Sequence, residues 1–239
     1  MTIAADKGPT KGLSDGDTTI AVTLVATTSG ASVAVCVIWA PNTTNLSTVD
    51  VGGQSATIRS TSLASSAAIG RVEFATLDTL SSGGDKVITA TLSANVATGS
   101  GIIIAWSFTG TNTSGVFDVA NNAAAAGTPS LTMTTVADNC HIIGVLSIDT
   151  STTPTAGTNY TGVDITDSDW WNYSEKDTDF DAGTAGAKTV NFTGVSSNYT
   201  LSALALKPSA GGGGGTTAAL LLLPGNLMAN IDGTHGNFA

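Results

Sequence analysis

Charged residues, and basic residues above all, are scarce in this chain. Of its 239 residues, 8 are Lys or Arg and 18 are Asp or Glu, so the charged fraction is 11% and the formal net charge is −10. An average soluble domain has roughly 25% charged residues. Because nucleic-acid phosphates and anionic lipid surfaces attract basic patches, this composition argues against both as partners.

Cysteine and histidine are also rare, which limits the available chemistry. Cys36 and Cys140 are too few for a disulfide framework and lie in apolar, strand-like runs, so we predict buried free thiols. His141 and His235 are the only histidines, and no G-x-S-x-G motif is present. A nucleophile needs an adjacent base and a third group that orients it, yet neighbouring residues of a strand, such as Cys140 and His141, point to opposite faces. We therefore predict that the protein is not an enzyme.

Long apolar runs are missing as well. The first residues, MTIAADKGPTKGLSDG, contain no hydrophobic signal-peptide core. The longest purely apolar run near the C-terminus, 218–223, is far shorter than the ~20 residues that span a bilayer. We expect a soluble chain without a membrane partner that remains in the cytoplasm until something releases it.

Threonine, serine, alanine, glycine and asparagine fill the composition instead. Threonine favours strands, whereas glycine and asparagine favour turns, and their alternation along the chain predicts an all-β sandwich. No amphipathic helix is apparent, and only 123–126 favours a single helical turn. The predicted strands are 18–25, 32–39, 55–59, 71–77, 86–92, 101–108, 130–136, 140–148, 188–192 and 199–206.

The polarity pattern predicts which strands are central. In 71–77, Val72 and Phe74 are expected to face a core while Arg71 and Glu73 face water, because strand side chains alternate. The runs 32–39 and 101–108 are apolar on both faces. We expect these two to be central strands, with the sandwich core on one side and a loop or neighbour on the other.

The composition changes abruptly after Pro208, which divides the chain into four segments. We predict an N-terminal arm at 1–17, a β-sandwich domain at 18–208, a Gly-rich linker at 209–215 (SAGGGGG) and an apolar tail at 216–239. The tail contains Leu220, Leu221, Leu222 and Leu223. Four exposed leucines favour docking on a partner, so we predict that they form a partner-binding segment; a disordered tail is the alternative.

The order of sequence motifs resembles a known structural family. VAVCVIW, VDVGGQSAT, RVEFATL, VITATLS, IIIAWSFTG, LTMTTVADNCHIIGVLSI and YTLSALALKP follow one another between residues 33 and 208. This order is similar to the jelly-roll or concanavalin-like sandwich modules of phage virion structural proteins, which also occur in some bacterial surface proteins. The Gly-rich linker and leucine-rich tail resemble the endings of virion proteins. The resemblance brings no catalytic residues to this chain.

Several expectations follow from this resemblance. It implies a jelly-roll-like, two-sheet antiparallel sandwich with an extended N-terminal arm and a C-terminal tail. It implies a virion structural protein, either a capsid decoration subunit or a tail or fibre component, assembled in the host cytoplasm. The expected partners are the major capsid protein or other virion subunits and further copies of the chain, as a homo-oligomer. The alternative is an extracellular carbohydrate-binding or adhesive module.

Two aromatic residues are the candidates for that alternative. Trp170 and Trp171 lie in the sequence DSDWWNY, close to several acidic residues. Exposed tryptophans beside carboxylates form a platform on which a sugar ring stacks, so a surface glycan is one possible partner. Tryptophans buried at the end of the sandwich or in a subunit interface would only contribute to packing.

No cofactor is predicted, apart from calcium at one acidic loop. Asp177, Asp179 and Asp181 occupy alternate positions before Gly183, a spacing that suits an oxygen-rich calcium loop. However, the glycine comes one position later than in an EF-hand, and Lys188 occupies the place of the bidentate glutamate. A solvated acidic loop is the alternative.

Overall fold

The computed structural model describes residues 3–13, 16–40, 44–59, 70–96, 101–148, 154–157, 161–166, 172–177 and 183–210, with backbone only for 161–166 and 172–177. Every helix or strand within these ranges is a β-strand, so the predicted all-β, sandwich-like fold is confirmed. The strands are β1 (Ala4–Leu13), β2 (Thr19–Thr27), β3 (Ser32–Trp39), β4 (Leu46–Val51), β5 (Gln54–Ile58), β6 (Arg71–Leu77), β7 (Gly84–Leu92), β8 (Gly101–Thr109), β9 (Phe117–Gly127), β10 (Ser130–Thr135), β11 (His141–Ile148), β12 (Thr155–Ala156), β13 (Thr161–Thr166), β14 (Asn172–Asp177), β15 (Gly186–Thr193) and β16 (Ser197–Leu206).

The N-terminal half forms one large antiparallel sheet that nearly closes on itself. Its strand order is β1-β8-β3-β6-β5-β4-β7-β2, and the two edge strands, β1 and β2, pack against each other. At this seam a Cβ on Gly12 would lie 1.9 Å from the Ala21 carbonyl oxygen, so only glycine allows the close approach. The Asp6 carboxylate joins the same region, because it accepts hydrogen bonds from the Thr28 amide (2.9 Å) and the Ser107 hydroxyl (2.8 Å).

The C-terminal half adds two smaller sheets. A five-stranded sheet has the order β13-β14-β11-β16-β9, and a three-stranded sheet has the order β10-β15-β12. All the strand pairs in these sheets are antiparallel. Residues 207–209 then form backbone hydrogen bonds with the start of this half. The Lys207 amide donates to the Val116 carbonyl at 2.7 Å, and the Ser209 amide donates to the Gly110 carbonyl at 2.7 Å.

Three apolar cores hold the sheets together. The first fills the nearly closed sheet and includes Leu24, Trp39 and Ile88. The second joins the outer face of β3, β6 and β8 to one face of the five-stranded sheet. The third joins the opposite face of the five-stranded sheet to β10 and β15. The molecule is therefore a stack in which the middle strands bury both faces.

This stacking explains where sequence and structure agree or differ. Every residue of β3 is buried, and so is every residue of β8 except the last, Thr109, as expected for central strands. The neighbour that covers their second face is the five-stranded sheet, through the second core. The sequence predicts two sheets, whereas the structure has three, because β11 and the C-terminal part of β16 also bury both faces. Much of the predicted N-terminal arm runs along β8 as β1, from Ala4 to Leu13.

The chain divides into two units, Met1–Ser209 and Ala210–Ala239. The predicted linker beyond Ala210 and the whole predicted tail lie outside the described residues.

Candidate functional site

One carboxyl is buried where the sequence predicted exposure. Glu73 was expected to face water, but it is 3% exposed, so that prediction is wrong. Val72 and Phe74 belong to the second core, as predicted. Alternation then turns Glu73 to the opposite face of β6, which is the interior of the nearly closed sheet rather than solvent. The sequence pattern correctly places Glu73 on the opposite side of β6 from Val72 and Phe74. It does not reveal that the sheet closes around that side.

The cation beside Glu73 is Arg71, two residues earlier on the same strand. Arg71 Nη1 lies 3.9 Å from Glu73 Oε1, which is an ion pair without a hydrogen bond. The same Nη1 donates to the Thr44 carbonyl at 3.2 Å and to the Asn45 side-chain oxygen. The Trp39 indole N–H also donates to the Thr44 carbonyl, at 3.0 Å. Arg71 thus ties the segment before β4 to β6.

Burial dominates the electrostatics of this pair. It raises the pKa of Glu73 to about 7, although the positive charge of Arg71 acts in the opposite direction. A carboxyl that titrates near neutrality is suited to proton transfer, but this one lies inside an apolar core. We interpret it as a structural group whose charge state affects stability.

The thiols and the buried histidine lie within the cores. Cys36 and Cys140 are free and buried, as the sequence predicts. Burial, followed by the negative charge of Asp118, raises the pKa of Cys140 to about 12, which disfavours the reactive thiolate. Cys140 belongs to the third core, whereas His141 packs against the Phe108 ring of the second core, with ring centroids 4.9 Å apart. The two residues therefore point to opposite sides of the five-stranded sheet, as expected for neighbours in a strand.

Most of the site residues predicted from the sequence lie outside the described residues. These are Trp170, Trp171, Asp179, Asp181, Leu220, Leu221, Leu222 and Leu223. Asp177 is the last residue of β14, where its backbone pairs with Ile143 and Thr161, but its side chain is not described. The calcium, sugar-stacking and docking hypotheses therefore stay predictions.

Within the described part of the chain, no three histidine, cysteine or acidic side chains come together in a way that would hold a metal ion. Nor does this part contain a helix with the length and apolarity needed to cross a membrane.

The outer face of β2, β7, β4 and β5 carries the first extended surface of the molecule. Inward side chains of these strands fill the first core, so their alternate residues point outward. Thr19 lies opposite Thr91, which in turn lies opposite Thr48 on the next strand. Because neighbouring strands are about 4.8 Å apart, the hydroxyls form rows across the sheet. The hydroxyl-bearing residues of this face are Thr19, Thr23, Thr48, Ser55, Thr57, Thr89 and Thr91.

The charged side chains that point outward from these four strands are carboxylates, and they already accept hydrogen bonds from backbone amides. Asp50 accepts a hydrogen bond from the Gly53 amide at 2.8 Å, and Asp85 accepts one from the Ala26 amide at 2.9 Å. Val25 and Val87 add two apolar side chains, 59% and 55% exposed. We call this surface the first hydroxyl face.

The opposite end of the stack has a second surface of the same kind. On β10 and β15, Leu131 and Val190 point into the third core, so the alternate residues face outward. The cross-strand pairs there are Ser130 with Asn191, Thr132 with Thr189, and Thr134 with Ala187. None of these six side chains carries a charge. We call this surface the second hydroxyl face.

The hydroxyl faces are the features that sequence reasoning missed. A signal exists, because Thr19 and Thr23, Thr89 and Thr91, and Thr132 and Thr134 all recur at even spacing within strands. The signal identifies one face of each strand. It does not reveal which strands share a surface, because that depends on pairing between segments that are distant in sequence.

Comparison of the chain with protein-family models, with curated proteins and with solved structures gives no match.

Proposed function

We propose that this protein is a virion structural protein: a capsid decoration subunit that packs on the surface of a phage particle through its terminal segments. The observation that carries the proposal is the pair of hydroxyl faces at the two ends of the stack. The centre of a protein interface is depleted in charged residues, because burying an unpaired charge is costly. Surfaces made of threonine and serine contact neighbours without that cost and remain hydrated when exposed.

The architecture supports a passive role for the body of the molecule. Its middle strands are covered on both faces by the three cores. Among the described residues, the large apolar side chains left exposed are Leu13, Val25, Val87 and Val136. Close packing of this kind makes a rigid spacer. Its two buried thiols and its buried carboxyl serve packing in this proposal, not catalysis.

The terminal segment supplies the attachment in this proposal. Backbone hydrogen bonds to 110–112 and 116 hold Lys207, Pro208 and Ser209, so Ser209 lies beside Gly110. The sequence then continues through the glycine run to Leu220, Leu221, Leu222 and Leu223. Four leucines, each worth about 1.5–3 kcal/mol when fully buried, offer enough apolar area to anchor a weakly charged subunit.

The test is made on phage particles whose genome encodes the chain. Purified particles should contain the protein in stoichiometric proportion to the major capsid protein. Replacing Leu221 and Leu222 by aspartate should leave the fold intact and abolish incorporation. The matched control replaces Asn226 and Asn230 by aspartate, which adds the same two charges elsewhere in the tail and should preserve incorporation.

Two results would count against the proposal. Full incorporation of the Leu221→Asp, Leu222→Asp variant would show that the leucines do not anchor the subunit. Absence of the protein from purified particles, together with binding to an immobilised glycan array that Trp170→Ala abolishes, would favour the carbohydrate-binding alternative.

A further inference from the structure

The N-terminal and C-terminal halves of the folded unit have the same strand order. In the C-terminal half, the five-stranded sheet reads β9-β16-β11-β14-β13 and the three-stranded sheet reads β12-β15-β10. The N-terminal sheet follows the same plan, because it reads β1-β8-β3-β6-β5 and then β4-β7-β2. These two groups form one sheet through the pairing of β4 with β5, which covers three residue pairs. Each strand of the first half therefore has a counterpart eight strands later.

The registers of the counterpart strands also agree. Strands β3 and β8 pair over eight residues, starting with Ser32 opposite Phe108. Their counterparts, β11 and β16, also pair over eight residues, starting with His141 opposite Leu206. Ser32 therefore corresponds to His141, and Phe108 corresponds to Leu206.

Counterpart side chains face the same way. In this register Ala34 and Cys36 correspond to Ile143 and Val145, and all four belong to the second core. Because strand side chains alternate, the residues between them point into the interior of their own half. Those of β3 belong to the first core, and those of β11, apart from Gly144, belong to the third core. Each half thus has an inner core of its own and turns the same outer face towards the other half.

An irregularity with the same function marks the first strand of each half. The pairing of β1 with β8 skips Asp6, and the pairing of β9 with β16 skips Asp118. Each carboxylate holds the segment just after the second strand of its half. Asp6 accepts a hydrogen bond from the Thr28 amide at 2.9 Å, and Asp118 accepts hydrogen bonds from the amides of Val136 and Ala137 at 2.8 and 3.2 Å. A shared strand order does not require this detail, so it indicates that one half is a copy of the other.

We propose that residues 4–109 and 117–206 are two copies of one eight-stranded module, joined by 110–116 and packed back to back through the second core. The second core is then a module–module interface within one chain. Its partner on each side is a second copy of the module, since the same sheet face contributes from both. A homodimer with an isologous interface uses its surfaces in this way. This inference does not depend on attachment to a particle.

The contacts across this interface are those of a stable association. Apolar side chains of both modules fill it, among them Phe74 and Leu204, which are fully buried. Two buried hydroxyls of β16 also donate hydrogen bonds to the first module: Thr200 to the Gly70 carbonyl at 3.3 Å, and Ser202 to the Val72 carbonyl at 3.0 Å. The polar atoms that cross the interface are thus paired, so we expect it to hold without the connecting segment.

The duplication also accounts for the likeness between the two ends of the stack. The Leu92 amide donates to the Thr18 carbonyl at 2.7 Å, and the Phe192 amide donates to the Pro129 carbonyl at 3.0 Å, which matches β7 and β2 to β15 and β10. The outward residues matched in this way include Thr19 with Ser130, Thr23 with Thr134, and Thr89 with Thr189. The first and second hydroxyl faces are therefore two copies of one surface.

The test cuts the full-length protein between the modules. A protease recognition sequence is inserted between Thr113 and Ser114, which are exposed, and the native protein is cleaved there. The two fragments should stay together as a one-to-one complex in sedimentation velocity, with unchanged circular dichroism, because the second core is intact. Phe74→Asp, and separately Leu204→Asp, should let the fragments separate, and both fragments should keep their β-sheet signal.

The control places the same recognition sequence between Ser82 and Gly83, an equally exposed turn inside the first module. The fragments of that protein share one sheet, because β6 lies before the cut and β7 after it. They should therefore separate only when the β-sheet signal is lost.

Three results would overturn the inference. If the fragments cut at 113–114 lose their β-sheet signal on separation, neither half is a module. If both aspartate variants prevent the uncut chain from folding, the halves depend on each other. If the fragments remain bound in both variants, the second core is not the interface that joins them.

Discussion

Replacing Glu73 by glutamine tests whether the nearly closed sheet contains a titrating carboxyl. Glu73 is 3% exposed, and its ion pair with Arg71 is 3.9 Å long, too far for a hydrogen bond. Burial raises the pKa of Glu73 to about 7, from 4.5 for an ordinary glutamate. Glutamine has nearly the same shape and stays neutral at every pH, so it removes the titration without emptying the core.

The sign and size of the effect follow from linkage. Because the folded pKa lies above the unfolded one, the stabilisation by the protonated carboxyl is fully present below pH about 4.5. It decreases as the pH rises and is lost by about pH 7. Each pKa unit corresponds to about 1.4 kcal/mol, so the free energy of unfolding of the wild type should fall by about 3 kcal/mol across this interval. The Glu73→Gln variant does not undergo this decrease.

The measurement is urea denaturation of both proteins between pH 4 and pH 8. The difference in free energy of unfolding should be near zero at pH 4 and reach about 3 kcal/mol in favour of Glu73→Gln at pH 8, equivalent to roughly 6–12 °C in Tm. Taking the difference cancels the titration of the other acids. Asp17→Asn is the control, because Asp17 is exposed and the substitution changes the charge equally.

A difference that stays flat from pH 4 to pH 8 would refute this reasoning, because it would mean that Glu73 ionises as it does in water. A wild type more stable than Glu73→Gln at pH 8 would refute it more strongly. In that case the Arg71–Glu73 ion pair would outweigh the cost of burying the charge.

Three further substitutions or probes test the seam and the cores. Gly12→Ala places a methyl group against the Ala21 carbonyl and should lower the free energy of unfolding by roughly 1–3 kcal/mol in urea denaturation; an unchanged value would mean that the seam opens readily. Burial alone would raise the pKa of Asp6, but the hydrogen bonds to its carboxylate lower the pKa overall. Asp6→Asn should therefore lower the free energy of unfolding by about 1–2 kcal/mol at pH 7, and this loss should disappear in acid, where the wild-type carboxyl is protonated. A loss that stays constant with pH would contradict this. A thiol reagent should label Cys36 and Cys140 only in denaturant, and labelling of the native protein would contradict their burial.

Most strands of the sandwich were predictable because their apolar residues follow a simple period. The runs 32–39 and 101–108 coincide with β3 and β8, and their lack of charged residues correctly indicated two covered faces. The strand β9 was missed for the opposite reason. Its run of alanines, Ala123 to Ala126, has low strand propensity and suggested a helical turn, yet pairing with β16 along its whole length overrides that preference.

The position of Glu73 shows what the sequence does not contain. A polar residue that alternates with apolar ones normally faces water, and in an open two-sheet sandwich Glu73 would do so. Here the sheet curves until β1 and β2 meet, and the face that carries Glu73 becomes the interior. Closure depends on contacts between strands that are distant in sequence, so local alternation gives the side of the strand but not the environment of that side.

The same limit applies to the surfaces on which the proposed function rests. The outward-facing threonines of β2 and β7 recur at even spacing, but Thr19, Thr91 and Thr48 become one row only because β7 lies between β2 and β4. A protein that acts through extended surfaces distributes its function over many small, ordinary side chains. Its functional residues therefore emerge from strand order, whereas those of an enzyme are often recognisable as a motif.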